Sequence, residues 1–568
     1  MLLSSDTGRI LGAPSPRRLP QKPVHETAVA VAVAVAVAIV LLVVPNVIWV
    51  FRDQSVWPWD QASYGEGALQ LADAARNGFA AWLKGMMNAG VTKPPLLQWS
   101  AQAAVPLESI LGSYERALLL VNIAAGAATL ALVFSTVLRL GGSPVAGLAA
   151  VLLCGGAPLF IGMMHQFLVE PVQALTLAGL MRLSLEAGRL SGLRFTAATS
   201  IMVAFALLAK TTSLVFVAPF VLYMILVRLC ARGNTASVVT RPDLMLAGAA
   251  AVLIAVTIGW YAVNWHFVLA HIRNATSNEV ALHYGSIGTL AGKLHFWGTA
   301  LMQALSPWPV LFHGTLLTML AALGVAAVRS RRSPLRTWLS EAVASGTLLA
   351  FCIAGTVLAA LLAFASQINE ETRFLTPLVP LVGVLAGWSV SVLHRHWLPL
   401  AAAALFAGNA AAGHLHAHGM MSVPATRSPW LTPYKVEPGS IERLARAVRL
   451  SCDPHFSRYS FVGVELPDFN PNSAAFFSQK QKREKERGFA CGYTFIGYAE
   501  TDPARGVKRI YDHDAEFFVT LRTDQIPTDP ADGLNRIARP VAEYIANAPD
   551  WERVSDPAEP AQVFRRRR

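Results

Sequence analysis

Long apolar runs separated by short polar and basic segments dominate the first 413 residues. The first apolar run, at 28–50, follows a polar tail at 1–27, and the later ones fall at about 115–138, 143–164, 167–186, 194–210, 212–230, 243–264, 306–328, 342–365, 372–393 and 397–413. Since about 20 consecutive apolar residues span a bilayer as a helix, the pattern predicts about eleven transmembrane helices. The first run ends in Trp49, Phe51 and Arg52 without a small-residue cleavage site, which predicts an uncleaved signal anchor.

After Gly413 the pattern changes to mixed polar sequence with short alternating runs at 459–464 and 516–520. Such alternation, bounded by turn residues, is typical of β-strands. It predicts a soluble α/β domain at 414–568. The basic run at 480–487 is interpreted as a solvated helix or loop of that domain.

The arginine distribution predicts the topology. With the 1–27 tail in the cytoplasm, the transmembrane module at 28–413 leaves two long outer loops, at 52–114 and 265–305, and an outer C-terminal domain. The loops then placed inside contain Arg139, Arg182, Arg189, Arg194, Arg228, Arg232, Arg241, Arg329, Arg331, Arg332, Arg336 and Arg395. This is the arrangement that the positive-inside rule requires.

Composition supports this interpretation. Of the 568 residues, 54% are hydrophobic and 14% are charged, whereas soluble domains carry about 25% charged residues. Much of the net charge of +12 can lie in the inner loops, so no nucleic-acid partner is expected. Five cysteines in so long a chain exclude a disulfide scaffold, and no pair has the close spacing that a zinc or redox site usually needs. Cys452 and Cys491 either pair in an oxidising compartment or stay as buried thiols.

Ionisable residues are predicted to gather at the outer membrane surface. They are Asp60, Glu66 and Lys93 in the first outer loop, and His165, Glu170, Lys210, Glu370, Glu371 and Arg373 at outer helix ends. A transporter places its charges near the bilayer midplane instead. The pattern therefore predicts a site at the outer interface, with apolar positions such as Phe79 and Leu83 on an interfacial helix.

Each of these residues also has a structural interpretation. Asp60, just after Pro58, suits a helix N-cap that shares a face with Tyr64. The basic side chains at 93, 210 and 373 suit anchors that reach to lipid head groups. Glu170 suits an ion pair with His165 or Lys210 at the outer helix ends. The sequence alone leaves these alternatives open.

Five motif groups in order along residues 50–413 resemble the GT-C glycosyltransferases of the protein O-mannosyltransferase and aminoarabinose-transferase (ArnT-like) type. They are Asp60-Gln-Ala-Ser-Tyr64 followed by Lys93-Pro94-Pro95-Leu96 and Trp99; Glu170-Pro171; Leu208-Ala-Lys210; Trp260-Tyr261 with Asn264; and Glu371-Thr-Arg373-Phe374 with Pro377 and Pro380. The sequence departs from the family pattern at Gln61, usually Glu; at Glu170, usually Asp; and at Gly259, usually Pro. The C-terminal domain lies outside the resemblance.

The resemblance implies a polytopic α-helical GT-C-like fold with a C-terminal α/β domain. It also implies transfer of a sugar, with inversion, from a polyprenyl phosphate to an acceptor hydroxyl. Asp60 is the candidate general base, with Glu170 as a second catalytic acid. Lys93, Arg373 and Lys210 are candidates for the donor phosphate. The candidate substrate-binding residues are Tyr64, Glu66, His165, Glu371, Trp260 and Tyr261.

No cofactor is implied, and a divalent metal is not obligatory because the leaving group is already a phosphate anion. The histidines lack metal-ligand spacing. The expected partners are membrane lipids, a polyprenyl-phosphate-linked sugar, and a lipid, polysaccharide or protein acceptor. We expect a multi-pass protein of a bacterial inner membrane with a periplasmic active site. The alternative is a non-enzymatic flippase or transporter of lipid-linked sugars, which would tolerate Asn at position 60.

Overall fold

The structure of the chain, a computed structural model, is mostly helical with one small β-sheet. It describes residues 24–567 except 189, 231–239, 278, 331–341, 344–345, 394, 424–429, 437, 454–458, 485–488, 499 and 528–532. The predicted tail up to residue 23 and the inner-loop arginines at 189, 232, 331, 332 and 336 lie outside the described residues.

The helices before the C-terminal domain are, in chain order, α1 (Val24–Arg52), α2 (Trp59–Arg76), α3 (Phe79–Asn88), α4 (Leu96–Ala101), α5 (Glu108–Leu111), α6 (Tyr114–Arg139), α7 (Pro144–Gly155), α8 (Pro158–Met164), α9 (Glu170–Ser184), α10 (Gly192–Ala209), α11 (Ser213–Cys230), α12 (Arg241–Ser277), α13 (Glu279–His283), α14 (Leu290–Leu305), α15 (Pro309–Ser330), α16 (Thr347–Ala365), α17 (Leu378–Val392) and α18 (Leu398–Ala417). Short 3-10 turns lie at Val105–Leu107 and Thr372–Leu375.

The number of membrane spans differs from the prediction. Eight helices of the described ranges are long and apolar enough to cross a membrane, or nine if α7 and α8, which are bent by 64°, form one broken span. The predicted segment at 143–164 is this bent pair, and the one at 167–186 is the 15-residue α9. Every predicted apolar segment contains a described helix, but the count of eleven is not confirmed.

The segment predicted as the first outer loop folds into short helices. Gly78, with a φ of +107°, ends the helical stretch that starts at Trp59 and separates α2 from α3. Glycine adopts this backbone conformation without the steric cost that other residues meet. On α3, Phe79 is 73% exposed and Leu83 is 47% exposed, as expected for a helix in the interface plane.

The C-terminal domain has the predicted α/β composition. Its helices are α19 (Ser440–Leu450), α20 (Pro471–Arg483), α21 (Pro503–Asp512) and α22 (Ala538–Asn547), and its strands are β1 (Ser460–Val462), β2 (Tyr493–Phe495), β3 (Phe517–Leu521), β4 (Trp551–Arg553) and β5 (Ala561–Arg566). The strand order is β2-β1-β3-β5-β4. β1 is parallel to β2 and β3, whereas β5 is antiparallel to β3 and β4. Cys452 and Cys491 form a disulfide bond.

Helix α20 docks this domain on the first outer loop. The ring of Phe476 stacks on that of Trp57, with 5.2 Å between centroids, and Arg483 forms an ion pair with Asp73 of α2. Lys480 pairs with Glu115 at 2.5 Å. The prediction that the basic run is solvated is therefore wrong for these two residues, because both form ion pairs with the membrane module.

The pair of Arg483 and Asp73 should be important for docking. The side chains are 4% and 14% exposed, and removing one partner of a buried ion pair costs about 3–5 kcal/mol. We expect Asp73→Ala to lower the unfolding temperature in detergent and to speed proteolysis of the C-terminal domain. Asp512→Ala, which breaks the exposed pair with Lys508, is the matched control and should change neither. Equal behaviour of the two variants would contradict this role.

Candidate active site

The Asp60 carboxylate lies between two cations at the start of α2. Lys93 donates to its Oδ1, and Arg373 donates from Nη2 to its Oδ2 at 3.1 Å. The N-cap interpretation of Asp60 is wrong, because Pro58 occupies the N-cap position and no side chain caps the helix. The carboxylate instead joins residues that are far apart along the chain.

Arg373 extends this arrangement into a network of three cations and three carboxylates. Besides Asp60, it donates to Glu371 at 2.7 Å, and its Nε lies 3.6 Å from the carboxylate of Glu170. Glu170 is fully buried and accepts a hydrogen bond from Lys210 at 2.6 Å. The predicted pairing of Glu170 with Lys210 is present, and it is part of the cluster.

Aromatic rings lie beside the cations of the network. Lys210 Nζ is 4.3 Å from the centroid of Phe374, Lys93 Nζ is 5.6 Å from that of Tyr64, and Arg373 is 5.6 Å from that of Trp430. Cations are attracted to the ring face at such distances. The rings thus favour positive charge in a site that is mostly shielded from water.

The charges around Asp60 determine its protonation. Burial by itself would raise the pKa of Asp60, but the positive charges of Lys93 and Arg373 outweigh burial and hold that pKa well below its usual range. For Tyr64, burial followed by the negative charges of Asp60 and Glu170 raises the pKa well above its usual value. Asp60 is therefore ionised and Tyr64 protonated at neutral pH.

Trp260, Tyr261 and Asn264 of α12 hold the neighbouring backbone. The indole N–H of Trp260 donates to the carbonyl of Ala89 at 3.0 Å, and Asn264 donates to the carbonyl of Met87 at 2.9 Å. Both contacts fix the turn that leads to Lys93. Tyr261 donates to the carbonyl of Leu207, at the end of α10, at 2.8 Å.

Gln61 of α2 forms hydrogen bonds with the segment that precedes Glu170. Its Nε2 donates to the side chain of Gln166 at 3.0 Å, and its Oε1 accepts from the backbone N–H of Phe167 at 3.1 Å. Gln61, which stands where the resembled family usually has Glu, thereby ties α2 to the segment before Glu170.

The predicted site residues Glu66 and His165 lie apart from the network. Glu66 accepts a hydrogen bond from Gln70 at 2.8 Å and lines a separate cleft between α2 and the C-terminal domain, where burial raises its pKa to about 7. His165 stacks on Trp49 with 4.0 Å between ring centroids. The structure shows neither residue in contact with Asp60, Glu170 or Arg373.

Sequence reasoning missed two residues that adjoin the site. Lys293 of α14 is buried, pairs with Glu370 at 3.2 Å and donates to the carbonyls of Gln367 and Ile368, so it braces the turn that carries Glu371 and Arg373. Glu465 of the C-terminal domain accepts the indole N–H of Trp59, next to Asp60, at 3.0 Å. No motif marks either position in the sequence.

Glu465 should make stability depend on pH. Burial raises the pKa of Glu465 to about 7, above the unfolded value of about 4.3. When a carboxyl group binds its proton more tightly in the folded state than in the unfolded state, the folded protein loses stability as pH rises between the two pKa values. We expect Glu465→Gln to raise the free energy of unfolding at pH 8 by no more than about 4 kcal/mol, and at pH 5, close to the unfolded pKa, by no more than about 1 kcal/mol. Destabilisation at both pH values, measured by denaturation in detergent, would contradict this.

Within the described ranges, no group of three or more His, Cys, Asp or Glu side chains could hold a metal ion. The expectation that no metal is required stays a prediction.

Comparison with known proteins gives one family match and several fold matches. Residues 92–261 match the family described as dolichyl-phosphate-mannose-protein mannosyltransferase. This range contains Lys93, Glu170 and Lys210, but neither Asp60 nor Arg373. A comparison with curated protein sequences gives no match.

The fold is similar to that of ArnT from Cupriavidus metallidurans in the apo state, with a TM-score of 0.51, 15% identity, and coverage of 95% of this chain and 98% of that one. The same enzyme bound to undecaprenyl phosphate gives a TM-score of 0.50, 14% identity and the same coverage. The arabinofuranosyltransferase AftD from Mycobacteria gives 0.52 and 15% identity over 94% of this chain and 40% of that one. The chain thus has the GT-C fold, and the family match supports glycosyltransferase activity.

Proposed function

We propose that the chain transfers a sugar from a polyprenyl-phosphate donor to an acceptor hydroxyl, with inversion, at the periplasmic face of a bacterial inner membrane. The observation that carries this proposal is the Asp60 carboxylate held between Lys93 and Arg373. The fold of an ArnT that binds undecaprenyl phosphate supports a polyprenyl donor. A base next to two cations is what attack on a sugar phosphate requires.

In this proposal Lys93 and Arg373 bind the donor phosphate. Both cations pair with Asp60, and a donor phosphate competes with Asp60 for them. As each cation turns to the phosphate, the attraction that keeps the pKa of Asp60 low weakens. Donor binding therefore makes Asp60 a stronger base at the moment when a base is needed.

The chemical step then balances within the site. The acceptor oxygen forms a bond to the anomeric carbon from the face opposite the phosphate, and its proton passes to Asp60. The bond between the anomeric carbon and the phosphate oxygen breaks, and its electron pair stays on the phosphate as negative charge. Lys93 and Arg373 stabilise this charge, while Glu170 and Glu371 orient the guanidinium of Arg373.

Two observations support a periplasmic site. The described arginines at the ends of α6, α9 and α15 (Arg139, Arg182 and Arg329) follow the positive-inside rule with the catalytic network outside. The disulfide of Cys452 and Cys491 suits an oxidising compartment.

Turnover of defined donors tests this function. The protein in nanodiscs would be incubated with a panel of radiolabelled undecaprenyl-phosphate sugars, and sugar transfer and slow hydrolysis of the donor would be followed. Label released from one donor, absent in protein-free nanodiscs, supports the proposal. No release from any donor, together with movement of lipid-linked sugar across proteoliposomes, would replace it with the flippase.

A further inference from the structure

The C-terminal domain places one unusual carboxylate, that of Glu465, against Trp59, the residue before Asp60. Glu465 is 8% exposed, and in the described part of the chain its carboxylate has one hydrogen-bond donor, the indole of Trp59, and no cation within ion-pair distance. Buried carboxylates are normally paired or neutralised, since desolvation penalises the free charge. Its backbone is held firmly, because Asn535 both donates to its carbonyl and accepts from its N–H.

The partner of Glu465 is itself strained. Trp59 has a φ of +31°, a conformation that a bulky side chain rarely adopts. Such residues persist where their surroundings hold them, and they cluster at functional sites. Here the strain lies in the backbone one residue before Asp60, and the hydrogen bond that Trp59 donates to the C-terminal domain holds its side chain in place.

Two tyrosines form another polar contact between the C-terminal domain and the membrane module. The hydroxyls of Tyr284, in the segment before α14, and Tyr498, after β2, are hydrogen-bonded to each other. The pKa of Tyr498 is raised first by burial, then by Tyr284, and also by the nearby charges of Glu465 and Asp60. The C-terminal domain thus contributes a second polar group, the hydroxyl of Tyr498, to its contact with the membrane module.

A purely structural role explains these features poorly. The domain already docks through Phe476, Lys480 and Arg483, which are paired with groups of the membrane module. Glu465 adds one hydrogen bond to that contact, and its burial destabilises the fold at neutral pH. A carboxylate with a free acceptor oxygen, together with phenol hydroxyls and an indole, is a typical set of groups for binding sugar hydroxyls.

We propose that Glu465, with Tyr498 and Trp59, forms the acceptor subsite and binds neighbouring hydroxyls of a carbohydrate acceptor beside Asp60. The acceptor class is then a glycan rather than a peptide or a lipid with a single hydroxyl. This inference rests on the proposed transferase function. It assigns to the C-terminal domain the selection of the acceptor, while the membrane module binds the donor.

The test separates the two halves of the reaction. A donor identified by its hydrolysis would be offered methyl glycosides of hexoses and pentoses, a Ser/Thr peptide, or glycerol, with wild-type protein, Glu465→Gln and the control Glu543→Gln, an exposed carboxylate of α22. The amide oxygen introduced by Glu465→Gln can still accept from Trp59. We expect Glu465→Gln to lower kcat/KM for the glycosides by about tenfold to a hundredfold, chiefly through KM, and to leave donor hydrolysis unchanged.

Other outcomes overturn the inference or the function separately. Unchanged glycoside kinetics in Glu465→Gln, or transfer by the wild type only to the peptide or to glycerol, overturns the inference alone. Absence of hydrolysis and transfer with every donor overturns the proposed function. In that case saturation-transfer NMR of the same glycosides decides the inference: signals in the wild type that weaken in Glu465→Gln support the subsite, and no signal in the wild type overturns it.

Discussion

Sugar transfer is expected to fall by about 10²–10⁴-fold in Asp60→Asn, the contribution typical of a general base, while donor binding persists or tightens. The amide cannot take the acceptor proton, so the chemical step is lost. The amide also carries no charge, so Lys93 and Arg373 are released from their ion pairs with Asp60 and are free for the donor phosphate. The variant should therefore separate binding from turnover.

Transfer of label from the identified donor and equilibrium binding of undecaprenyl phosphate would both be measured in nanodiscs. Glu108→Gln serves as control, because Glu108 lies on α5 of the same outer loop and the ion pairs of the network do not include it. Unchanged turnover in Asp60→Asn would refute the general-base role. Loss of phosphate binding in Asp60→Asn would refute the competition between Asp60 and the donor.

Arg373→Lys should produce the second largest loss, about 10²–10³-fold in kcat/KM for the donor, as for removal of one oxyanion stabiliser. The guanidinium contacts Asp60, Glu170 and Glu371 through its nitrogen atoms, whereas a lysine ammonium is a single point charge on a flexible stem. The variant keeps the positive charge but loses the geometry. Since Glu170 is fully buried, a lower unfolding temperature is also expected.

Arg182→Lys is the matched control, because Arg182 pairs with Glu186 at the end of α9 away from the network. It should leave kcat/KM for the donor unchanged. If Arg373→Lys retained wild-type donor kinetics, charge alone would suffice and the guanidinium geometry would have no role. If both variants lost activity equally, the effect would be one of general stability.

Much of the network can be predicted from the sequence, because its residues lie in short local motifs at the ends of apolar segments. Hydropathy indicates which helix ends share a side of the membrane, so Asp60, Lys93, Glu170, Lys210 and Arg373 are expected at one surface. The structure joins these five residues in one chain of ion pairs. Their catalytic roles stay predictions.

Other side-chain contacts cannot be predicted from sequence patterns. The N-cap interpretation of Asp60 is wrong because two cations, 33 and 313 residues away, compete for the carboxylate. The basic run at 480–487 is predicted to be solvated because the sequence around it contains no sign of its partners. The carboxylates that pair with Lys480 and Arg483 lie on other elements. Glu465 is 406 residues from Trp59 and belongs to no motif.

Hydropathy and periodicity along the chain are sufficient to establish that this protein spans a membrane many times, that its C-terminal part is an α/β domain, and which charged residues face one side. These features are local, since each helix must satisfy its own backbone in lipid. Packing in three dimensions establishes the rest: which carboxylate meets which cation, that Glu66 and His165 lie apart, and that Glu465 reaches Trp59. An ion pair or hydrogen bond forms only between groups a few ångströms apart. The separation of two groups along the chain does not show whether they come that close.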